Sequence, residues 1–273
     1  MSTLYLVATP IGNLEDITLR ALRVLQEVRL IAAEDTRRAR ILAQRYEIDT
    51  PITSYFEANK LAKLDTILEA LGQGDVALIS EAGTPGLSDP GYELVCAAIA
   101  RGVSVVPVPG PSAPVTALVA SGLPTDTFLY LGFLPRRKGE RRQLLDLVAS
   151  EPHTLVAFEA PHRLRECLAD VEAALGDRPV AVCRELTKLH EEIWRGAVSG
   201  ARAHFEQQEP RGEFTLVIGG APVEQEVWSA EQVQAALEEL LSQGVSRSAA
   251  ARRIAKAARW TKDNVYRMGL ETP

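Results

Sequence analysis

Several things are scarce in this chain, and each scarcity excludes something. Among 273 residues there are three cysteines, Cys96, Cys167 and Cys183, each inside an apolar periodic segment. They read as small buried core residues. No CxxC or HxxxH spacing exists, and the four histidines, at 153, 162, 190 and 204, are scattered. A zinc site loses its support, no metal is expected, and the default compartment is a reducing cytoplasm. Long apolar runs are missing too. Nothing approaches the roughly 18 residues that a membrane span needs. Residues 4–8 are too short, and lack a preceding basic residue, to be a signal peptide. Neither GxGxxG nor GxxxxGK[ST] occurs, so dinucleotide-binding and P-loop readings lose their main support.

A net basic charge is also absent. The formal charge of −6 argues against a generally cationic nucleic-acid binder. It hides an uneven distribution, however. Residues 245–268 hold seven basic side chains and one acidic, a local +6. Residues 136–142 hold five basic and one acidic, a local +4, which leaves −16 on the remainder. Two basic patches on an acidic body point to a directed anionic partner. Hydrophobic content of 46% and charged content of 24% are ordinary for a globular protein.

What the chain does have is a repeated strand, glycine turn and helix. The run at 76–79 ends in Ser80-Glu-Ala-Gly-Thr-Pro-Gly-Leu-Ser-Asp-Pro-Gly91, and a helix follows over 92–100. A second run, 103–108, ends in Pro109-Gly-Pro-Ser-Ala113 and enters a helix over 112–120 that stops at Gly122. This is the grammar of a parallel sheet with crossover helices. Ligands sit beyond the carboxyl ends of such strands, where small residues let them approach the backbone. The two turns read as two lips of one small-molecule site. Upstream, a strand over 4–8 ends in Thr9-Pro-Ile-Gly-Asn13, and Thr18 is placed to cap a helix reaching residue 26. A strand over 28–33 ends in Glu34-Asp-Thr-Arg37. A short strand over 52–56 precedes a helix over 61–71.

The pattern starts afresh after residues 122–126, the expected domain boundary. Strands are expected at 128–133, 154–158, 180–184, 191–196 and 214–218. Helices are expected at 143–149, 163–175 and 199–207, with 135–142 a basic loop. Strands this close can pair antiparallel, so the second sheet is expected to be mixed. A linker at 222–226 leads to helices over 230–242, 246–258 and 261–268. Short helices carrying a basic face are similar to a helix-turn-helix module. The fold class is therefore α/β, with domains at 1–122 and 123–222 and a helical module at 227–273.

Seven motifs in order carry a resemblance: Thr9-Pro-Ile-Gly-Asn13, Ala33-Glu-Asp-Thr-Arg37, the stretch from Ser80 to Gly91, Pro109-Gly-Pro-Ser-Ala113, Gly132-Phe-Leu-Pro-Arg136, Glu159-Ala-Pro-His-Arg163 and Arg184-Glu-Leu-Thr-Lys188. Together they resemble the bacterial 16S ribosomal RNA cytidine 2′-O-methyltransferases of the tetrapyrrole methylase superfamily. The resemblance covers the whole chain. It implies two α/β domains with S-adenosylmethionine in the cleft between them, a homodimer, and 16S ribosomal RNA as substrate, within the small ribosomal subunit. By resemblance, the donor pocket is lined by Pro10, Gly12, Glu81, Ala82, Gly83, Gly86, Ser88, Asp89, Gly110, Ser112, Ala113 and Thr187.

Methyl transfer to a hydroxyl is an in-line displacement in which the protein positions reactants and accepts a proton. Charged strand ends are the candidates for that work, Glu34, Glu159 and Glu185 among them. Asp35 and Glu81 are the first choices as proton acceptor, and Lys188 joins them as a catalytic candidate. Arg37 and Arg184, with Lys188, would touch phosphate or ribose. Arg136, Arg137 and Lys138, with Arg252, Arg253, Lys256 and Arg259 of the tail, would hold RNA. The alternatives are a small-molecule methyltransferase of the same fold, acting on a tetrapyrrole for example, and a non-catalytic RNA-binding scaffold.

Overall fold

Apolar runs without polar alternation are buried on both faces, so they belong inside a sheet covered by helices on each side. The computed structural model, which describes residues 2–222 and 228–268, has that arrangement. β1 (Thr3–Val7), β2 (Leu30–Ala33), β3 (Ile52–Ser54), β4 (Val76–Ile79) and β5 (Ser104–Val108) form a wholly parallel sheet in the order β3-β2-β4-β1-β5. α1 (Leu19–Glu27) and α2 (Thr36–Arg45) cover one face, packing Val24, Leu25 and Leu42 on Val7, Ile31 and Ile79. α3 (Lys60–Leu71) and α4 (Tyr92–Ala100) cover the other, packing Ile67, Leu71 and Leu94 on Leu4, Val76 and Leu78. Thr18 does cap α1, accepting the Ala21 N–H at 3.1 Å.

The strand order opens a crevice. β1 leads to β2 on one side, whereas its neighbour β4 leads to β5 on the other. The turns leaving β1 and β4 therefore diverge at their carboxyl ends, where ligands of such sheets bind. α5 (Ala113–Ser121) follows β5 and ends at Gly122, whose φ of +79° gives the left-handed stop that glycine adopts without strain.

Residues 122–126 connect α5 to a second sheet. β6 (Phe128–Phe133), β7 (Thr154–Glu159), β8 (Pro179–Arg184), β9 (Glu192–Ala197) and β10 (Phe214–Ile218) lie in the order β6-β7-β10-β8-β9. β6 and β7 are parallel and the remaining pairs antiparallel, so this sheet is mixed, as expected. α6 (Lys138–Leu147), α7 (Leu164–Leu175) and α8 (Val198–Gln207) cover one face. The opposite face is covered by α5, whose Ala117 and Leu118 pack on Val156, Ala181 and Val217.

The chain divides into two compact units, residues 1–221 and 222–273. The second contains α9 (Ala230–Ser242), α10 (Arg247–Ala258) and α11 (Lys262–Met268) around Val233, Leu237, Ala250, Ile254 and Val265. Ser229 and Gln232 form a capping box at the start of α9. The expected linker at 222–226 lies outside the described residues, apart from Pro222.

Three expectations are corrected. Cys96 is exposed on α4, because the buried stripe of that helix runs through Leu94 and Ala98. Residues 138–142 are helix, not loop: Arg141 is fully buried and its guanidinium bonds Asp170 of α7 at 2.9 and 2.6 Å, which anchors the first turn of α6. Arg259 is not on the α10 face. It follows the helix in a left-handed conformation, φ +58°, and breaks the periodicity that placed it there.

Candidate functional site

Three strand-end turns of the parallel sheet are tied to one another. Thr9 and Gly83 exchange backbone bonds at 2.9 and 3.0 Å, and the Thr84 hydroxyl donates to the Pro111 carbonyl at 3.2 Å. The Ser80 hydroxyl donates back to the Ala82 and Gly83 carbonyls. Gly83 and Gly86 have φ of +79° and +82°, which only glycine adopts at little cost. Two seams then join these turns to the second sheet. Ser88 Oγ lies 2.7 Å from Tyr130 Oη. The Asn13 N–H donates to Thr187 Oγ1 at 3.1 Å, and Gly12 packs so closely on residues 186–188 that a Cβ there would collide with Thr187, Lys188 and the Leu186 carbonyl. Ser88, Glu185 and Thr187 hold positive φ of +64°, +49° and +66°. Such non-glycine strain persists where surrounding structure enforces it, and it gathers at functional sites.

Two cavities lie along these seams. The larger, about 330 Å³, is bounded by Glu81, Ala82, Gly83, Asp89, Ser112 and Ala113 on one side. Phe133, Phe158 and residues 212–215 bound it on the other. Its size is that of a small-molecule site. The smaller, about 250 Å³, is bounded by Thr9, Pro10, Gly12, Arg38, Ile41, Glu81 and Lys188. Ile11, Glu81, Ala82 and Glu213 line both and form the wall between them.

The expected donor residues distribute accordingly. Glu81, Ala82, Gly83, Asp89, Ser112 and Ala113 line the larger cavity, and Pro10 and Gly12 the smaller. Thr187 lies in a shallow recess beside Gly12. Gly86, Ser88 and Gly110 line neither cavity. Gly110 is small because the Ala8 Cβ would be only 3.1 Å from a Cβ at this position. The aromatic wall of Phe133 and Phe158 was not singled out from sequence, nor were Arg38 and Glu213. Phe133 sits within the Gly132-Phe-Leu-Pro-Arg136 motif, so a signal was there to follow.

The charged groups differ in their freedom. Asp35 caps α2, accepting the Arg37 and Arg38 N–H groups, and its carboxylate also takes the Arg37 guanidinium at 3.2 and 2.7 Å. The bond from Arg37 holds its pKa down at about 2, a value that suits a cap and not a base. Glu34 accepts the Glu81 N–H at 3.1 Å, and burial raises its pKa. Asp89 is the most altered of these carboxylates. Burial first, then the neighbouring Glu34 and Glu81 charges, push it up to about 7, against an opposing bond from Ser80. Lys188 Nζ is clamped by Glu185 at 2.8 Å and Glu213 at 3.1 Å. Burial alone would lower its pKa, but these carboxylates raise it, so Lys188 is a fixed positive charge.

Two other strand-end groups have partners within the fold. Glu159 is buried, accepts the Ala160 N–H and pairs with Arg163, and it also lines the larger cavity. Arg184 donates to the Arg211 carbonyl at 2.7 Å and reaches Glu192 at 3.4 Å. Arg136, Arg137 and Lys138 are exposed at the start of α6, shortly after Phe133 of the larger cavity's wall. Arg252, Arg253 and Lys256 are exposed on α10. Among the described residues, no cluster of His, Cys, Asp and Glu could hold a metal. Likewise, no described helix is long and apolar enough to cross a membrane.

Residues 3–201 match the model of the tetrapyrrole (corrin/porphyrin) methylases. The chain belongs to this family. A protein of Synechocystis named ribosomal RNA small subunit methyltransferase I is 46% identical over 99% of this chain and 98% of its own length. A Bacillus subtilis protein of the same name is 42% identical over 97% and 93%. One from Thermotoga maritima is 49% identical over 221 residues, 81% of this chain and 99% of its own. A uroporphyrin-III C-methyltransferase from Thermus thermophilus, solved with S-adenosylhomocysteine, shares the fold. Its TM-score is 0.58 at 22% identity, over 80% of this chain and 97% of that one. The family frame fits the geometry: in this tetrapyrrole methylase the crevice at the β1 and β4 carboxyl ends is closed over by the second sheet.

Proposed function

We propose that this protein is an S-adenosylmethionine-dependent methyltransferase that modifies the 2′-hydroxyl of a cytidine in 16S ribosomal RNA. One observation carries the reading: the larger cavity, walled by small-residue turns on one side and Phe133 and Phe158 on the other. The turns offer backbone groups and room for the donor, and the aromatic wall offers an apolar surface for its adenine. S-adenosylmethionine, when bound, supplies an activated methyl group. Glu81, Ala82, Gly83, Ser112 and Ala113 hold it, and the strapped turns exclude water. The smaller cavity receives the acceptor ribose, with Arg38 and Lys188 as cations for phosphate and Glu213 orienting Lys188. The shared wall at Ile11, Glu81 and Ala82 is where the two reactants meet. Asp89 lines the larger cavity and is bonded by Ser80, which lines the smaller one, so it stands at the wall between the reactants. There it takes the hydroxyl proton, with an affinity near neutral pH that burial, then Glu34 and Glu81, maintain. The two sheets act as two domains, residues 1–122 and 123–222. The C-terminal unit adds a basic face for RNA. The working species is a cytoplasmic homodimer acting on the small subunit.

Mass mapping of 16S ribosomal RNA from cells with and without the gene tests the reading. One methyl group on a cytidine ribose should vanish with the gene and return with the wild-type copy. A full set of ribose methylations in its absence refutes it.

A further inference from the structure

The basic stretches at 136–142 and in the tail are not the only ones. α2 carries Arg37, Arg38, Arg40 and Arg45 and no Asp or Glu, a local +4 in a chain of net charge −6. Its apolar stripe, Ala39, Leu42 and Ala43, is buried on the sheet, so the arginines have only the outside to face. All four are exposed.

Position distinguishes this face from a merely solvated one. Arg38, Ile41 and Arg45 are spaced by three and four residues and share one stripe, about 10 Å long at 1.5 Å per residue. Arg38 and Ile41 line the smaller cavity. Arg45 lines the recess beyond it, together with Thr187, Lys188 and Leu189, the last of them 93% exposed. A row of cations and aliphatic surface therefore leads from open solvent to the mouth of the smaller cavity. Nearby carboxylates neutralise only part of it. Asp35 holds Arg37 at 2.7 Å, Glu81 lies 3.5 Å from Arg38, Glu185 and Glu213 hold Lys188 at 2.8 and 3.1 Å, and Glu15 lines the recess. Among the described residues no carboxylate lies within ion-pair distance of Arg40 or Arg45, and the Arg45 guanidinium rests over the Tyr46 ring at 5.4 Å. Uncommitted arginines of this kind are the groups that exchange condensed counterions for phosphates.

We propose that the arginine face of α2 binds the phosphates of the single-stranded RNA flanking the target nucleotide and leads that strand into the smaller cavity. The inference rests on the reading of this protein as an RNA methyltransferase. Phosphate contacts position a strand without reading its bases, so this face sets register and the cavity sets choice.

The test compares wild type, Arg45→Gln and Arg45→Lys. Each is titrated with a full-length 16S ribosomal RNA transcript at several salt concentrations, and with S-adenosylmethionine by calorimetry. Losing one phosphate contact should make the slope of log affinity against log salt shallower by about 0.7. The glutamine variant should show that loss and weaker RNA binding, with donor affinity and thermal unfolding unchanged. The lysine variant should restore RNA binding. A glutamine variant with wild-type affinity and slope overturns the inference alone. A wild type that binds the donor but neither binds nor methylates the transcript or isolated small subunits overturns the RNA reading, and the inference with it.

Discussion

Replacing Asp89 by asparagine tests the electrostatics of the larger cavity in two independent ways. The carboxyl of Asp89 moves from an ordinary 3.8 to about 7, because burial penalises its charge and Glu34 and Glu81 repel it. At ~1.4 kcal/mol per pH unit this is about 4 kcal/mol, and the water that reaches this half-buried group reduces it to roughly 2 kcal/mol. The sign follows from where the proton resides. Below about pH 4 the residue is neutral in both folded and unfolded chains and costs nothing. Between pH 4 and 7 the unfolded chain ionises while the folded protein keeps its proton, so stability falls as pH rises. Above pH 7 the full cost is present. The asparagine side chain would be neutral throughout. Urea unfolding of Asp89→Asn should therefore show a gain over wild type that is small at pH 5, grows toward pH 7 and levels near 2 kcal/mol at pH 8. The same substitution removes the proposed proton acceptor. Single-turnover methylation should fall by about 10²-fold or more, and its rise with pH through about 7 should disappear. A variant that is destabilised at pH 8, or whose gain is flat with pH, refutes the electrostatic argument. One that methylates at the wild-type rate refutes the catalytic role.

Two further outcomes are expected. Gly110→Val forces a Cβ to 3.1 Å from that of Ala8. It should cost about 1–3 kcal/mol of stability in urea unfolding and weaken donor binding by shifting the Ser112–Ala113 wall; wild-type stability would refute the packing argument. Truncation after Ala221, which keeps the bond from its N–H to the Glu151 carbonyl, should leave donor binding intact, weaken RNA binding and flatten its salt dependence. Unchanged RNA affinity and slope, with sedimentation as a smaller species, would instead make the C-terminal helices an assembly element.

Much of this protein was written locally. The apolar runs at 76–79 and 214–218 became strands with those bounds, and Thr18 became a cap, because burial period and capping chemistry act within a few residues. The family, too, was carried by short motifs in order. What local sequence could not determine was which charged strand ends were already engaged. Asp35 and Asp89 are both aspartates next to glycine- or arginine-bearing turns, yet one is held near 2 by Arg37 and the other is pushed to about 7. That difference depends first on the burial of Asp89 and then on Glu34 and Glu81, which stand on separate strand ends 47 residues apart and meet only when β2 and β4 pair. The 138–142 segment read as a loop until Asp170 of α7 drew Arg141 into the core. Gly12 and Glu213 are likewise far apart in sequence, and only the folding of the second sheet over the first brings both to the cavity wall. Periodicity determined the elements; desolvation and partner charge, which exist only once distant segments pack, decided what each carboxylate and guanidinium is able to do.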